Sequence, residues 1–289
     1  MDEQMALLNE YFELEMRDKE IKSLNNKRAN NLNGATWIKN SISIWSDIRK
    51  SQEEIALDHP AIFPSQLVKK LIECFTVGNK LVILDPFSGS GSTIVTAHRM
   101  GHIGIGFETN EKYIELANQR LNERSIWQIE PNNNTTIYKS DARHILKYIA
   151  EKSVDIVITS PPYWNILSQK RTADSKNIRD YGDTAEDLAK IPDYGEFLRQ
   201  LSEVFRQVLV TLKPGAYCIV NVMDLRKKNK FYPFHSDIAK MMEEIGFIYD
   251  DLIIWDRRHE YNNLRPLGYP SVFRINKVHE YLLIFQKEL

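Results

Sequence analysis

Two segments of this 289-residue chain carry residues that could do chemistry together, and their key side chains stand 75 positions apart. Leu81-Val-Ile-Leu-Asp-Pro-Phe-Ser-Gly-Ser-Gly-Ser-Thr93 is an apolar run that breaks into an acid, Asp85, and a glycine-rich turn. Val154-Asp-Ile-Val-Ile-Thr-Ser-Pro-Pro-Tyr-Trp164 is a second apolar run that breaks into a serine, two prolines and two aromatic rings. An acid at a strand end disfavours a pyrophosphate and suits a ligand bearing a cationic amine or sulfonium, while the glycines let the backbone pass close to it. Ser160-Pro161-Pro162-Tyr163 suits a flat amine. The nitrogen lone pair of an exocyclic amine on a nucleobase is delocalised into the ring, so a catalyst must hold acceptors against its hydrogens. Proline fixes φ and lacks an N–H, leaving the Pro161 carbonyl for one hydrogen and the Ser160 hydroxyl for the other, with Tyr163 able to stack on the base. The pair of segments points to methyl transfer to such an amine.

Further acids extend the first segment. Glu108 ends the next expected strand, 23 residues beyond Asp85, where a carboxylate can accept ribose hydroxyls. Asp141, in Ser140-Asp-Ala142, can take the amine of an adenine ring. Alone, each acid reads as a helix cap or surface charge; acids at the ends of three successive strands read as a ligand site. A nicotinamide-dependent oxidoreductase fits poorly, because Ile94 stands where the third glycine of Gly-x-Gly-x-x-Gly should be.

These residues need strand ends to hold them. The pattern predicts helix 65–75, strand 81–84, helix 92–100, strand 103–107, helix 111–123, a strand near 136–138, helix 143–149 and strand 154–159. Helix 194–212, strand 216–222, helix 236–245 and strands near 247–255 and 280–285 follow. Strands alternating with helices imply an α/β fold: a mostly parallel sheet with helices on both faces, closed by an antiparallel C-terminal strand pair. In such sheets ligands bind beyond the strand carboxyl ends, where strand order reverses. If strands 81–84 and 154–159 are neighbours there, Asp85 and Ser160 share one site. Residues 1–57 read as an N-terminal helical extension, with a polar helix to about residue 34. Residues 58–289 read as the catalytic domain, with a loop insert at about 164–193 that breaks the rhythm. Pro131-Asn-Asn-Asn134 reads as a turn.

The composition narrows the classes. At 43% hydrophobic residues the chain can bury a core. Cys74 and Cys218 are too few and too far apart for a disulfide framework or a zinc site, so a reducing, cytoplasmic setting is expected and no metal is called for. No leader or membrane span is legible. Net charge is −1, so contact with a polyanion must come from local patches. Two stand out: Arg226-Lys-Lys-Asn-Lys230, and the stretch Arg257 to Lys277, where five basic residues face one acid.

Together the motifs resemble the amino-group DNA methyltransferases that use S-adenosylmethionine. Asp85-Pro-Phe-Ser-Gly-Ser-Gly91 is similar to their cofactor motif, and Ser160-Pro-Pro-Tyr163 to their catalytic motif in the serine form usual for N4-cytosine enzymes. His59-Pro-Ala-Ile-Phe-Pro64 resembles their N-terminal cofactor segment, and residues 276–285 their last strand. The resemblance implies a Rossmann-like methyltransferase fold, cofactor contacts from His59, Phe63, Asp85, Phe87, Gly89, Gly91, Glu108, Asp141 and Ala142, and catalysis by Ser160, Pro161, Pro162 and Tyr163. It implies transfer to cytosine N4 in double-stranded DNA by base flipping. The rivals are adenine N6, an RNA or protein amine, and a binding module that keeps the pocket as a relic. A cognate restriction endonuclease is a candidate partner; monomer and homodimer both stay open. No large target-recognition domain is evident, which leaves the insert, the Arg257 to Lys277 segment, the N-terminal helix or a second subunit to read the DNA.

Overall fold

The interior strands are apolar on both sides because both faces of their sheet are covered. On the strand 282–285, Leu283 and Phe285 point into one core while Leu282 and Ile284 point into the other, the two-residue alternation that a strand's pleat imposes. The computed structural model describes residues 28–56, 63–122, 134–165, 188–261, 264 and 266–289. The predicted N-terminal helix falls mostly, and the insert's body, His59 and Arg265 fall entirely, outside them; of the 131–134 turn only Asn134 is described.

In chain order the elements are α1 (Gly34–Asn40), β1 (Ile44–Trp45), α2 (Gln52–Ala56), α3 (Ser65–Phe75), β2 (Val82–Asp85), α4 (Ser92–Arg99), β3 (Ile103–Glu108), α5 (Glu111–Asn122) and β4 (Thr136–Lys139). Then come a 3-10 turn (Ala142–Lys147), β5 (Val154–Thr159), α6 (Tyr194–Thr211), β6 (Leu212–Val222), β7 (Leu225–Lys227), β8 (Lys230–Tyr232), α7 (Phe234–Ile245), β9 (Ile248–Asp256) and β10 (His279–Gln286). Among the described residues, eight strands form one sheet in the order β4-β3-β2-β5-β6-β10-β9-β1, while β7 and β8 pair separately as a hairpin. Strands β2 to β6 run parallel, and β10 is antiparallel to both β6 and β9. The expected mostly parallel sheet with an antiparallel C-terminal pair is thus observed. One face is covered by α6, α7 and the 3-10 turn around Phe197, Phe205 and Phe234, the other by α3 and α4 around Leu67, Leu71 and Ala97.

Three features depart from the expected elements. Residues 44–56, read as part of the extension, are woven into the domain: β1 adds parallel to β9, and Trp45 and Ile48 are buried in the second core. Two paired residues carry no periodicity, so only the docked Trp45, with Lys70 4.2 Å above its ring, marks this strand. The segment expected as helix 143–149 is a 3-10 turn, interrupted at His144 (φ −119°, ψ 19°). It is clasped by α6, whose Gln207 amide oxygen accepts from the Leu146 N–H at 3.1 Å. The β7–β8 hairpin occupies the basic cluster 226–230.

Candidate active site

Strand order reverses between β2 and β5, which are hydrogen-bonded neighbours with Leu84 opposite Val157. The two motifs therefore leave the sheet side by side. The Thr159 hydroxyl donates to Asp85 Oδ1 at 2.6 Å, and Asp85 and Ser160 line the same cleft.

Asp85 is buried. Burial pushes its carboxyl up to about 6, and hydrogen bonds from Thr159, Thr93 and the Phe87 N–H pull the other way without compensating. A buried carboxyl held near neutrality is poised to ionise beside a cation. The turn that follows is braced by Glu108, whose Oε2 accepts the Gly89 N–H at 2.9 Å while Oε1 accepts from Thr109 and Asn110 at 2.9 and 2.8 Å. Phe63, Phe87, Gly89 and Ala142 also face the cleft. Gly91 stands outside that lining. It begins α4 in the left-handed conformation (φ +77°), and a Cβ there would lie 2.7 Å from Ala117 Cβ, so its need for glycine comes from packing against α5. Asp141 lines the cleft but caps the 3-10 turn, accepting from the Arg143 N–H at 2.7 Å and from its guanidinium at 2.5 Å.

Ser160, Pro161, Pro162 and Tyr163 line the same cleft from the end of β5. The Ser160 hydroxyl donates to the Asn221 carbonyl at 3.2 Å. With its proton engaged, the oxygen is left as an acceptor. The Tyr163 hydroxyl, 3.4 Å from Ser160 Oγ, donates to Glu280 Oε2 at 3.2 Å. Asn221 Nδ2 donates to the same carboxylate, and Arg257 pairs with its other oxygen. Arg257 also reaches Glu260 at 2.6 Å, which in turn meets Lys50 at 2.9 Å. Burial works against the Arg257 charge, but Glu280 and Glu260 raise its pKa overall. Sequence reasoning missed Thr159, Asn221 and Glu280. The available signal was a carboxylate, buried in the fold, inside the apolar run of β10; its partners lie 117 and 59 positions away, which no local pattern can reveal.

A cleft that sets a buried acid beside acceptors on the neighbouring strand end can hold a cation-bearing ligand against a flat amine. Comparison with known proteins agrees with that reading. Residues 4–119 and 154–288 match the DNA methylase family whose members act on N6 or N4 amino groups. The type II methyltransferase M.ScaI of Streptomyces caespitosus is 36% identical over 121 residues, covering 39% of each chain. The type II methyltransferase M.MjaI of Methanocaldococcus jannaschii is 29% identical over 178 residues, covering 55% of this chain and 57% of that protein. The matched part spans less than two thirds of either relative. Among solved structures, a precorrin-6y C5,15-methyltransferase from Geobacter metallireducens GS-15 superposes with a TM-score of 0.50 at 14% identity, over 82% of this chain and 96% of that one; it shares the fold.

Proposed function

This chain belongs to the DNA methylase family that acts on N6 or N4 amino groups, and from that premise we propose that it methylates the exocyclic N4 of cytosine in duplex DNA. The family's methyl donor is S-adenosylmethionine, which when bound supplies a methyl group on a positively charged sulfonium and so needs no metal to activate it. The residues of the cleft fit such a ligand. Asp85 is a buried acid that gains by ionising beside a cation, Glu108 is fixed by three backbone N–H groups at the rim, and Gly89 keeps the turn open. Phe63 and Phe87 give apolar walls, and His59 is proposed to complete the methionine end. Asp141 and Ala142 are proposed to border the adenine; both Asp141 oxygens accept from Arg143, so a bond from the ring amine takes the place of one of those. Gly91 supports the turn by packing.

The acceptor amine is held by the Ser160–Tyr163 segment. Ser160 Oγ takes one amine hydrogen and the Pro161 carbonyl the other, which draws nitrogen toward a tetrahedral geometry and frees its lone pair. Pro162 stiffens the ledge, and the Tyr163 ring, anchored at its hydroxyl by Glu280, offers a face to the base. Positioning and preorganised acceptors supply the rate. A base in a duplex must be flipped to reach this ledge, at a cost of a few kcal/mol that stacking and edge hydrogen bonds offset. The observation that supports an amine acceptor is the engagement of the Ser160 proton by the Asn221 carbonyl, which leaves the hydroxyl oxygen to accept; the choice of cytosine over adenine follows the serine that opens the Ser160-Pro-Pro-Tyr163 motif. The test is mass spectrometry of nucleosides digested from duplex DNA treated with the protein and S-adenosylmethionine. N4-methylcytosine is expected; N6-methyladenine alone, or methylation of RNA or protein with none in DNA, would overturn the assignment.

A further inference from the structure

Arg257 and Arg258, the start of the basic segment, are engaged. Arg257 is committed to Glu280 and Glu260, and Arg258 pairs with Asp256 at 2.6 Å. The cations farther along that segment join those of the 226–230 cluster. Residues 225–232, the β7–β8 hairpin, and residues 268–278, the loop leading into β10, contain Arg226, Lys227, Lys228, Lys230, Arg274 and Lys277 and no carboxylate, on a chain whose net charge is −1. The two segments meet. Arg226 and Lys277 lie over the Phe231 ring at 5.4 and 5.2 Å, and Arg274 reaches Asn229 Oδ1 at 3.4 Å.

The loop also carries large apolar side chains in water: Phe273 is 92% exposed, Tyr269 79% and Ile275 72%. They are presented on a tight turn. Val272 N–H donates to the Gly268 carbonyl at 2.7 Å, and Gly268 sits at φ +78° where a Cβ would lie 2.3 Å from the Val272 carbonyl oxygen. The patch adjoins the proposed catalytic wall. Lys227 Nζ lies 3.9 Å over the Trp164 ring and 3.0 Å from Asn165 Oδ1, immediately after Tyr163.

We propose that the β7–β8 hairpin and the Gly268–Lys277 loop are the surface on which duplex DNA docks, the cations meeting phosphates and the exposed rings of Tyr269 and Phe273 entering a groove beside the base to be flipped. This rests on the proposed function in taking DNA as the substrate. Phosphate neutralisation supplies affinity without sequence information, and apolar wedges of this kind unstack base steps. An RNA single strand would also engage rings and cations; a paired basic ribbon beside the loop favours the duplex, whose phosphates flank a groove on both sides.

The test compares the wild-type protein with the double variant Lys228→Glu/Lys230→Glu, with Phe273→Ala, and with a remote control on the outer face of α7, Lys240→Glu. Binding to a labelled duplex is followed by fluorescence anisotropy over a salt series, and a titration with S-adenosylmethionine verifies that each variant is folded. The double variant should bind DNA at least about tenfold more weakly at ~0.1 M salt and lower the slope of log affinity against log salt by about 2. Phe273→Ala should keep that slope and slow methylation, and Lys240→Glu should match the wild type. Unchanged DNA affinity in a folded double variant, or tighter wild-type binding to single-stranded RNA than to the duplex, overturns the inference. Failure of the proposed function reads out separately, as wild-type protein that binds the duplex and leaves no N4-methylcytosine in it.

Discussion

Replacing Asp85 with asparagine should make the free protein more stable and its cofactor site weaker, opposite effects of one carboxylate. Burial holds Asp85 at about 6, above the ordinary 3.8, despite the hydrogen bonds from Thr159, Thr93 and Phe87. A carboxyl whose pKa is higher in the folded state contributes stability that is complete below the unfolded pKa and is lost as pH rises through the folded one. The gap corresponds to about 3 kcal/mol, at about 1.4 kcal/mol per pH unit. Roughly half of that, about 1.5 kcal/mol, should disappear between about pH 5 and pH 7. Asparagine keeps an oxygen for Thr159 and Phe87 and never ionises. Urea titrations of both proteins at the two pH values, without cofactor, should therefore show Asp85→Asn gaining about 1.5 kcal/mol on the wild type as pH rises. Calorimetric titration with S-adenosylmethionine at neutral pH should show binding about 10- to 100-fold weaker, the worth of one hydrogen bond to a charged group. Wild-type affinity should itself fall as pH drops below about 6, about tenfold per pH unit until it nears the level of the Asn variant, because the acid must lose its proton to meet the cation. A variant less stable than the wild type at neutral pH, with unchanged cofactor affinity, would refute both the buried-charge account and the cofactor role.

Ser160→Ala and Tyr163→Ala should each abolish turnover while S-adenosylmethionine affinity changes less than about threefold, as single-turnover assays and calorimetry would show; retained turnover in Tyr163→Ala counts heavily against the site. Glu280→Gln should lower kcat about 10-fold or more with KM for cofactor little changed. It should also cost about 2–3 kcal/mol of stability, because Arg257 keeps only Glu260. In a double-mutant cycle with Tyr163→Phe the kcat effects should be less than additive, since one removes and the other weakens the same hydrogen bond. Gly91→Ala should destabilise the fold by about 1–3 kcal/mol through its left-handed φ and the Ala117 contact, and adding Ala117→Gly should recover only the contact part in thermal melts.

The order of elements was legible because the parallel strands announce themselves as short apolar runs ending in Asp85, Glu108 and Thr159, with helices of matching length between them. The boundaries of α3 and β5 fall where periodicity puts them. Two elements were not legible for a shared reason. Ile44–Trp45 and the hairpin around Lys228–Asn229 are too short to carry a period, and they are held because Trp45 finds a buried slot and Phe231 meets Lys277 from a distant loop. The Arg257 to Lys277 charge excess misled in part for the opposite reason: the sequence shows charges, and only packing shows that Arg257 and Arg258 are already neutralised.

Read alone, the chain determined which side chains can do chemistry and that they stand at strand ends, because residue type and short-range spacing are local properties. Tertiary structure decided that β2 and β5 are neighbours, that Asp85 is desolvated and that Tyr163 hangs from Glu280. Those facts depend on contacts between residues far apart in sequence, and burial, which sets both the acidity of Asp85 and the reach of its charge, is a property of the whole packed molecule.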